Sequence, residues 1–126
     1  MEKIMIVDDD NTMVSLLELL FEMDGYEVVT FSNRDAIIDD IRFHNPDLVL
    51  MDVFISNIDG LEVLEQVKAC DDLKEIRIVM TSGMEVGDKC VKAGADAFIL
   101  KPYPPEELMS LITELLPGRA TSTFVE

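Results

Sequence analysis

Four apolar runs in this chain end in residues able to do chemistry. Asp8, Asp9 and Asp10 follow Ile4 to Val7, Asp52 follows Leu48 to Met51, Thr81 and Ser82 follow Ile76 to Met80, and Lys101-Pro102 follows Ala97 to Leu100. If the fold gathers Asp8, Asp9 and Asp52, each carboxylate disfavours ionisation of the others and something positive must compensate. Lys101 supplies one charge. A divalent cation with oxygen ligands supplies the rest, and Mg²⁺ suits such a site because it takes one or two carboxylates and keeps waters free for a phosphoryl group. A carboxylate beside a metal and a lysine is a candidate nucleophile toward phosphorus, with an acyl phosphate as product. Thr81 and Lys101 could then hold the phosphoryl oxygens, since phosphoryl transfer asks mainly for in-line placement and neutralised charge. Each residue alone also has an ordinary reading: the acid run as a helix cap, Asp52 as a turn former, Lys101 as an exposed loop lysine. Their shared place at strand ends favours the chemical one.

The elements that must position these groups are short apolar runs of strand type at Ile4 to Val7, Tyr26 to Phe31, Leu48 to Met51, Ile76 to Met80 and Ala97 to Leu100, separated by helical periodicity. The first helical segment places Met13, Leu16, Leu17 and Leu20 on one face, and the last does so with Leu108, Leu111, Ile112 and Leu115. Gly60 to Ala69 and roughly Val86 to Ala93 supply two more helices. Asn11 is expected to cap the first helix, Ser32 with Asp35 to form a capping box, Pro105 to open the last helix, and Pro117-Gly118 to close it. Alternating strands and helices require crossover connections, which gives an α/β fold of (βα)5 type with a doubly wound, mostly parallel sheet. Ligands in such a sheet bind outside the carboxyl ends of the strands, which is where the polar groups fall.

With 126 residues the chain has room for one domain with its own core. We expect that domain to span 1–118, with 119–126 as a tail or the start of a linker. The net charge of −16 repels phosphates and anionic lipid, which argues against direct nucleic-acid binding or membrane association. Cys70 and Cys90 are too few and too far apart for a disulfide framework or a zinc site, so they read as ordinary thiols. There is neither a signal peptide nor a span of about 20 apolar residues, and a cytoplasmic location is expected. His44, the one histidine, precedes Asn45-Pro46 and is expected to serve a helix end; the eight methionines read as core filler.

Over residues 2 to 117 the chain resembles the receiver domains of two-component response regulators. The resemblance rests on the paired acids of Ile-Val-Asp-Asp, Asp52 after Pro-Asp-Leu-Val-Leu-Met, Asp59-Gly60 seven residues later, Thr81-Ser82, and Gly-Ala-Asp-Ala-Phe-Ile-Leu-Lys-Pro. It implies a flavodoxin-like sheet of order 2-1-3-4-5. It also implies that Asp52 accepts a phosphoryl group from a sensor histidine kinase or a phosphotransfer protein. Asp9, Asp52 and the Phe54 carbonyl would hold Mg²⁺, with Asp8 acting through water. Thr81 and Lys101 would bind the phosphoryl oxygens. Thr81 and Phe98 would form a switch that reshapes the fourth helix, fifth strand and fifth helix, and so controls a downstream effector or an attached output domain. A phosphorylation-dependent dimer is also compatible with it. Two departures stand out: Ile55-Ser56 replaces the usual Met-Pro, and Thr81 to Gly94 is about two residues short, so the fourth helix should be short or displaced.

Two other readings compete. Asp8, Asp10 and Thr12 fit the Asp-x-Asp-x-Thr motif of phosphatases resembling the haloacid dehalogenase family, with Asp8 as nucleophile. Against this, that family needs a further acidic motif on a strand after the lysine, and here no aspartate follows Lys101 and no strand remains. The other is a receiver fold that takes no phosphate and serves only for docking.

Overall fold

In the computed structural model, which describes residues 1–32 and 34–116, five strands form one sheet: β1 (Lys3–Val7), β2 (Glu27–Thr30), β3 (Leu48–Asp52), β4 (Arg77–Ser82) and β5 (Ala97–Leu100). All neighbours are parallel and the order is β2-β1-β3-β4-β5. Five helices connect or follow them: α1 (Asn11–Met23), α2 (Ile37–His44), α3 (Gly60–Ala69), α4 (Gly87–Lys92) and α5 (Pro105–Leu115). This is the expected doubly wound (βα)5 sheet with strand order 2-1-3-4-5.

The central strands are apolar on both faces because both faces are covered. Met5, Val7, Val49, Met51, Ile78 and Met80 point toward α2, α3 and α4, where they pack with Ile41, Val63, Leu64, Val67 and Cys90. The alternate residues Ile4, Ile6, Leu48, Leu50 and Val79 point the other way, onto Val14, Leu17 and Phe21 of α1 and Leu108 and Ile112 of α5. Burying these side chains fixes the register, since a one-residue slip would turn every strand inside out. That register pairs Val7 with Met51, Asp52 with Thr81 and Ser82 with Leu100, so the polar residues at the strand ends arrive at a common edge.

Several local expectations are corrected. The cap of α1 is Asp10, whose carboxylate accepts the Met13 N–H at 3.1 Å, so Asn11 becomes the first helical residue. The buried stripe of α1 is Val14, Leu17 and Phe21; Leu16 is 43 % exposed. Ser32 and Asp35 form no capping box. The Ser32 N–H and hydroxyl go instead to Asp40, at 2.7 and 3.4 Å, and α2 starts at Ile37 after a short 3₁₀ turn (Arg34–Ala36). His44 does end α2, but its Nε2 turns back to the Asp40 carboxylate at 3.4 Å, while Asn45 in the left-handed conformation closes the helix. Pro117-Gly118 and the 119–126 tail lie outside the described residues. The fourth helix is short, as expected from the contracted Thr81 to Gly94 stretch: α4 has six residues.

Candidate functional site

The site lies on the carboxyl edge of the sheet, where β1, β3, β4 and β5 end. Asp8 follows β1 directly; its Oδ1 accepts the Asp10 N–H at 2.9 Å, which turns the chain into α1. Asp52 is the last residue of β3, and its Oδ1 accepts the Phe54 N–H at 3.0 Å. The remaining oxygens of both acids converge on one ammonium group: Lys101 Nζ lies 2.9 Å from Asp8 Oδ2 and 2.8 Å from Asp52 Oδ2. The lysine follows β5 and is tied to β4 by its own N–H, which donates to the Ser82 carbonyl at 2.8 Å; the Lys101-Pro102 peptide is cis. Residues 93 and 49 positions apart are thus brought into contact by strand order alone.

All three side chains are largely withdrawn from water. Burial opposes the charge on Lys101, but the hydrogen bonds and charges of Asp52 and Asp8 outweigh it, and its pKa is pushed up to about 12. The lysine is therefore firmly cationic, yet it faces two carboxylates, and the cluster keeps a negative balance. Tyr103, 7 % exposed, lies close enough to sense these charges. Burial raises its phenol first, Asp8, Asp52 and Asp10 add to the effect, and Lys101 opposes it.

Thr81 stands beside Asp52 in the β3–β4 register. Its backbone carbonyl accepts the Val53 N–H at 2.8 Å, but its hydroxyl is buried and has no hydrogen-bond partner. A buried hydroxyl left this way costs free energy, and an acceptor placed over Asp52 would relieve it. Ser82 is committed elsewhere, its Oγ accepting the Met84 N–H at 3.0 Å.

Asp9 points to the loop after β3, where its Oδ2 accepts the Ser56 N–H at 2.9 Å. That loop folds into a two-residue antiparallel ladder, Phe54–Ile55 against Ile58–Asp59, turned by Asn57 in the left-handed conformation. Asp59 then caps α3 by accepting the Leu61 N–H at 3.0 Å. Gly60 follows because a Cβ there would lie 2.5 Å from the Asp52 carbonyl oxygen and 2.9 Å from the Val53 Cα. The Ile55-Ser56 departure therefore sits in a loop pinned by Asp9 and by its own ladder. Sequence reasoning missed the Ser56 anchor, the ladder and Tyr103; the Asn57 turn was a usable signal for the ladder.

Asp9, Asp52 and the Phe54 carbonyl are all hard oxygen donors, the kind Mg²⁺ takes. Among the described residues no three acids are grouped closely enough to hold an ion, because Asp8 and Asp52 lean on Lys101 while Asp9 is drawn to Ser56. The donor set thus fits a hard cation in kind, with Lys101 holding the Asp52 carboxylate together with that of Asp8 in the arrangement seen. Phe98, in β5, is half-buried against the α2–α4 side of the core and next to α4.

The phosphatase reading loses its motif here. Asp10 is committed to capping α1, Thr12 is exposed on the first turn of that helix, and Asp8 is bound to Lys101.

Comparison with known proteins agrees with this geometry. Residues 4–113 match the model of the family described as the response regulator receiver domain. The chain is 32 % identical over 117 residues to the alkaline phosphatase synthesis transcriptional regulatory protein PhoP of Bacillus subtilis, covering 91 % of this chain and 48 % of that protein. It is 34 % identical to the probable transcriptional regulator ycf27 of Porphyra purpurea, covering 91 % of this chain and 47 % of that one. It thus spans about half the length of these relatives. Among solved structures, a putative response regulator from Chloroflexus aurantiacus superposes with a TM-score of 0.83 at 29 % identity, over 92 % of this chain and 98 % of that one.

Proposed function

The chain belongs to the response regulator receiver domain family, and on that premise we propose that it is a switch operated by phosphorylation of Asp52. A carboxylate oxygen of Asp52 attacks the phosphorus of a phosphohistidine on a sensor kinase or phosphotransfer protein. The new O–P bond forms as the N–P bond breaks, and the ring nitrogen keeps the bonding pair, so a phosphohistidine protonated at its other nitrogen leaves as neutral histidine. Lys101 stays cationic throughout and follows the charge from the carboxylate to the phosphoryl oxygens. Thr81 gains the acceptor that its hydroxyl lacks. Asp9, Asp52 and the Phe54 carbonyl would hold Mg²⁺, with Asp8 acting through water, and the ion when bound neutralises phosphoryl charge.

The observation that carries this reading is the pairing of Asp52 with Lys101 at 2.8 Å, directly across from the partnerless hydroxyl of Thr81. Movement of Thr81 and Phe98 would then pass the change to α4, β5 and α5, and from there to a downstream effector or an attached output domain, as a bistable element biased by one local charge. The cytoplasm, where such kinases present phosphohistidine, is the proposed location; among the described residues no helix is long and apolar enough to cross a membrane.

The test is intact mass after incubation with acetyl phosphate and Mg²⁺. We expect a single phosphoryl adduct that disappears with EDTA and in Asp52→Asn. An adduct that persists in Asp52→Asn would overturn the assignment, and no adduct under any condition would leave docking alone.

A further inference from the structure

Gly87 opens α4, yet its backbone has no need of glycine: among the described residues the glycines with positive φ are Gly25 and Gly94. Glycine is also among the poorest helix formers. What the position does require is space. A Cβ on Gly87 would lie 3.1 Å from Cδ2 and 3.4 Å from Cγ of the Phe98 ring, and 3.0 Å from Glu85 Oε1. Glu85 is exposed, its carboxylate accepts the Gly87 N–H at 3.0 Å, and it can swing aside. The ring cannot yield so freely. It is carried on β5, one residue before Ile99, the partner of Thr81 in the register, and it packs against the core alongside Val86.

We propose that Gly87 sets the resting position of Phe98, and through it the ease with which Asp52 takes a phosphoryl group. This rests on the reading of Asp52 and of the Thr81–Phe98 switch given above. With only hydrogen on its Cα, position 87 leaves the ring room to lie against the first turn of α4. A methyl group there raises the free energy of that placement and pushes the ring from α4. If uptake of a phosphoryl group also draws the ring away as Thr81 moves, the two events favour one another, because a ligand and a conformational bias that prefer the same state are reciprocally linked. Position 87 then acts as a dial on the switch while remaining outside the chemistry.

The test uses the whole chain in three variants, Gly87→Ala, Phe98→Leu and the double variant, with two readouts. Alanine is the better helix former, so α4 is retained. In the absence of any phosphoryl donor, the aromatic NMR signals of Phe98 are expected to move in Gly87→Ala. With acetyl phosphate and Mg²⁺, labelling of Gly87→Ala should be faster than wild type by about fivefold or more, in proportion to the larger fraction of chains whose ring already lies away from α4. That gain should vanish in the Phe98→Leu background. Unmoved ring signals, an unchanged or slower labelling rate, or a gain that survives without the ring would each overturn the proposal while leaving the phosphoacceptor intact. A wild-type chain that takes no phosphoryl group would instead sink the reading of Asp52 and this regulation with it.

Discussion

The two ends of the sheet carry the same kinds of residue and treat them differently. At the amino ends of the strands, Asp47 accepts the Lys3 N–H at 2.7 Å and Asp96 accepts the Ile78 N–H at 2.8 Å. Around Asp96, Lys68 and Arg77 stand at 3.6 Å each, and the Lys68 ammonium also donates to the Ile76 carbonyl at 3.2 Å. There Asp47 and Asp96 each accept a backbone N–H near the start of a strand, and Lys68 serves both an acid and a carbonyl. At the carboxyl ends, two acids share Lys101 and a buried hydroxyl faces nothing. The first arrangement is balanced and finished; the second holds an excess of negative charge and an idle donor. Groups that are finished stabilise, whereas groups left incomplete can respond to a ligand that completes them, and here the missing partner has the charge and the acceptor oxygens of a phosphoryl group.

Lys101→Met should break this contrast most strongly. Without the ammonium the phosphoryl charge loses its fixed donor, and labelling by acetyl phosphate should fall about a hundredfold or more, the usual effect of removing one preorganised charge stabiliser. The same substitution shows in stability against pH. The folded pKa of Lys101 is raised from 10.5 to about 12, so its contribution is complete below about 10.5 and is lost as the pH rises toward 12. That contribution is at most about 2 kcal/mol at neutral pH, reduced by solvent screening of a partly exposed ammonium. Urea unfolding of wild type and variant should therefore differ most at neutral pH, and the two curves should converge as the pH climbs through this window.

The opposite end should behave in reverse. Asp96→Ala leaves the Ile78 N–H without its partner in a buried strand and should lower stability by about 1–3 kcal/mol in urea unfolding. Labelling of the folded variant should stay within about twofold of wild type, since nothing near Asp52 changes. A large labelling defect in Asp96→Ala would erase the distinction between the two ends.

Thr81→Val sharpens the comparison with the smallest change and an opposite sign. Valine keeps the shape and removes the hydroxyl that has no partner, so thermal unfolding should show a gain of up to about 1 kcal/mol. Labelling should slow at the same time. Stability bought at the expense of function marks a group kept for its ligand; a loss of stability in Thr81→Val would show that the hydroxyl already has a use.

How much of this was legible in the sequence varies by region for physical reasons. The strands were legible because both faces of a parallel sheet are covered, so Ile4 to Val7 and Leu48 to Met51 read as unbroken apolar runs. Helix α3 was legible to the residue because Asp59 and Gly60 punctuate its start. The buried face of α1 was not. Met13, Val14, Leu16, Leu17, Leu19, Leu20 and Phe21 surround that helix with apolar groups, so periodicity could not choose Val14 and Phe21 over Leu16. The ladder after β3 has two residues per strand, too few for any pattern to register. In the site, residue types and their places at strand ends gave the candidate set. Which oxygens meet Lys101, and that Asp9 turns to Ser56, depend on side-chain directions that no spacing encodes.

The most direct measurement is to find the residue that carries the phosphoryl group. Borohydride reduces an acyl phosphate to the alcohol, so treating the chain after acetyl phosphate converts the modified aspartate to homoserine, and peptide mass mapping then locates it. Conversion at Asp52 in wild type, strongly reduced in Lys101→Met and undiminished in Asp96→Ala, is the predicted result. Conversion at Asp8, Asp9 or Asp10 instead, or at an acid of the amino-end cluster, would contradict the account.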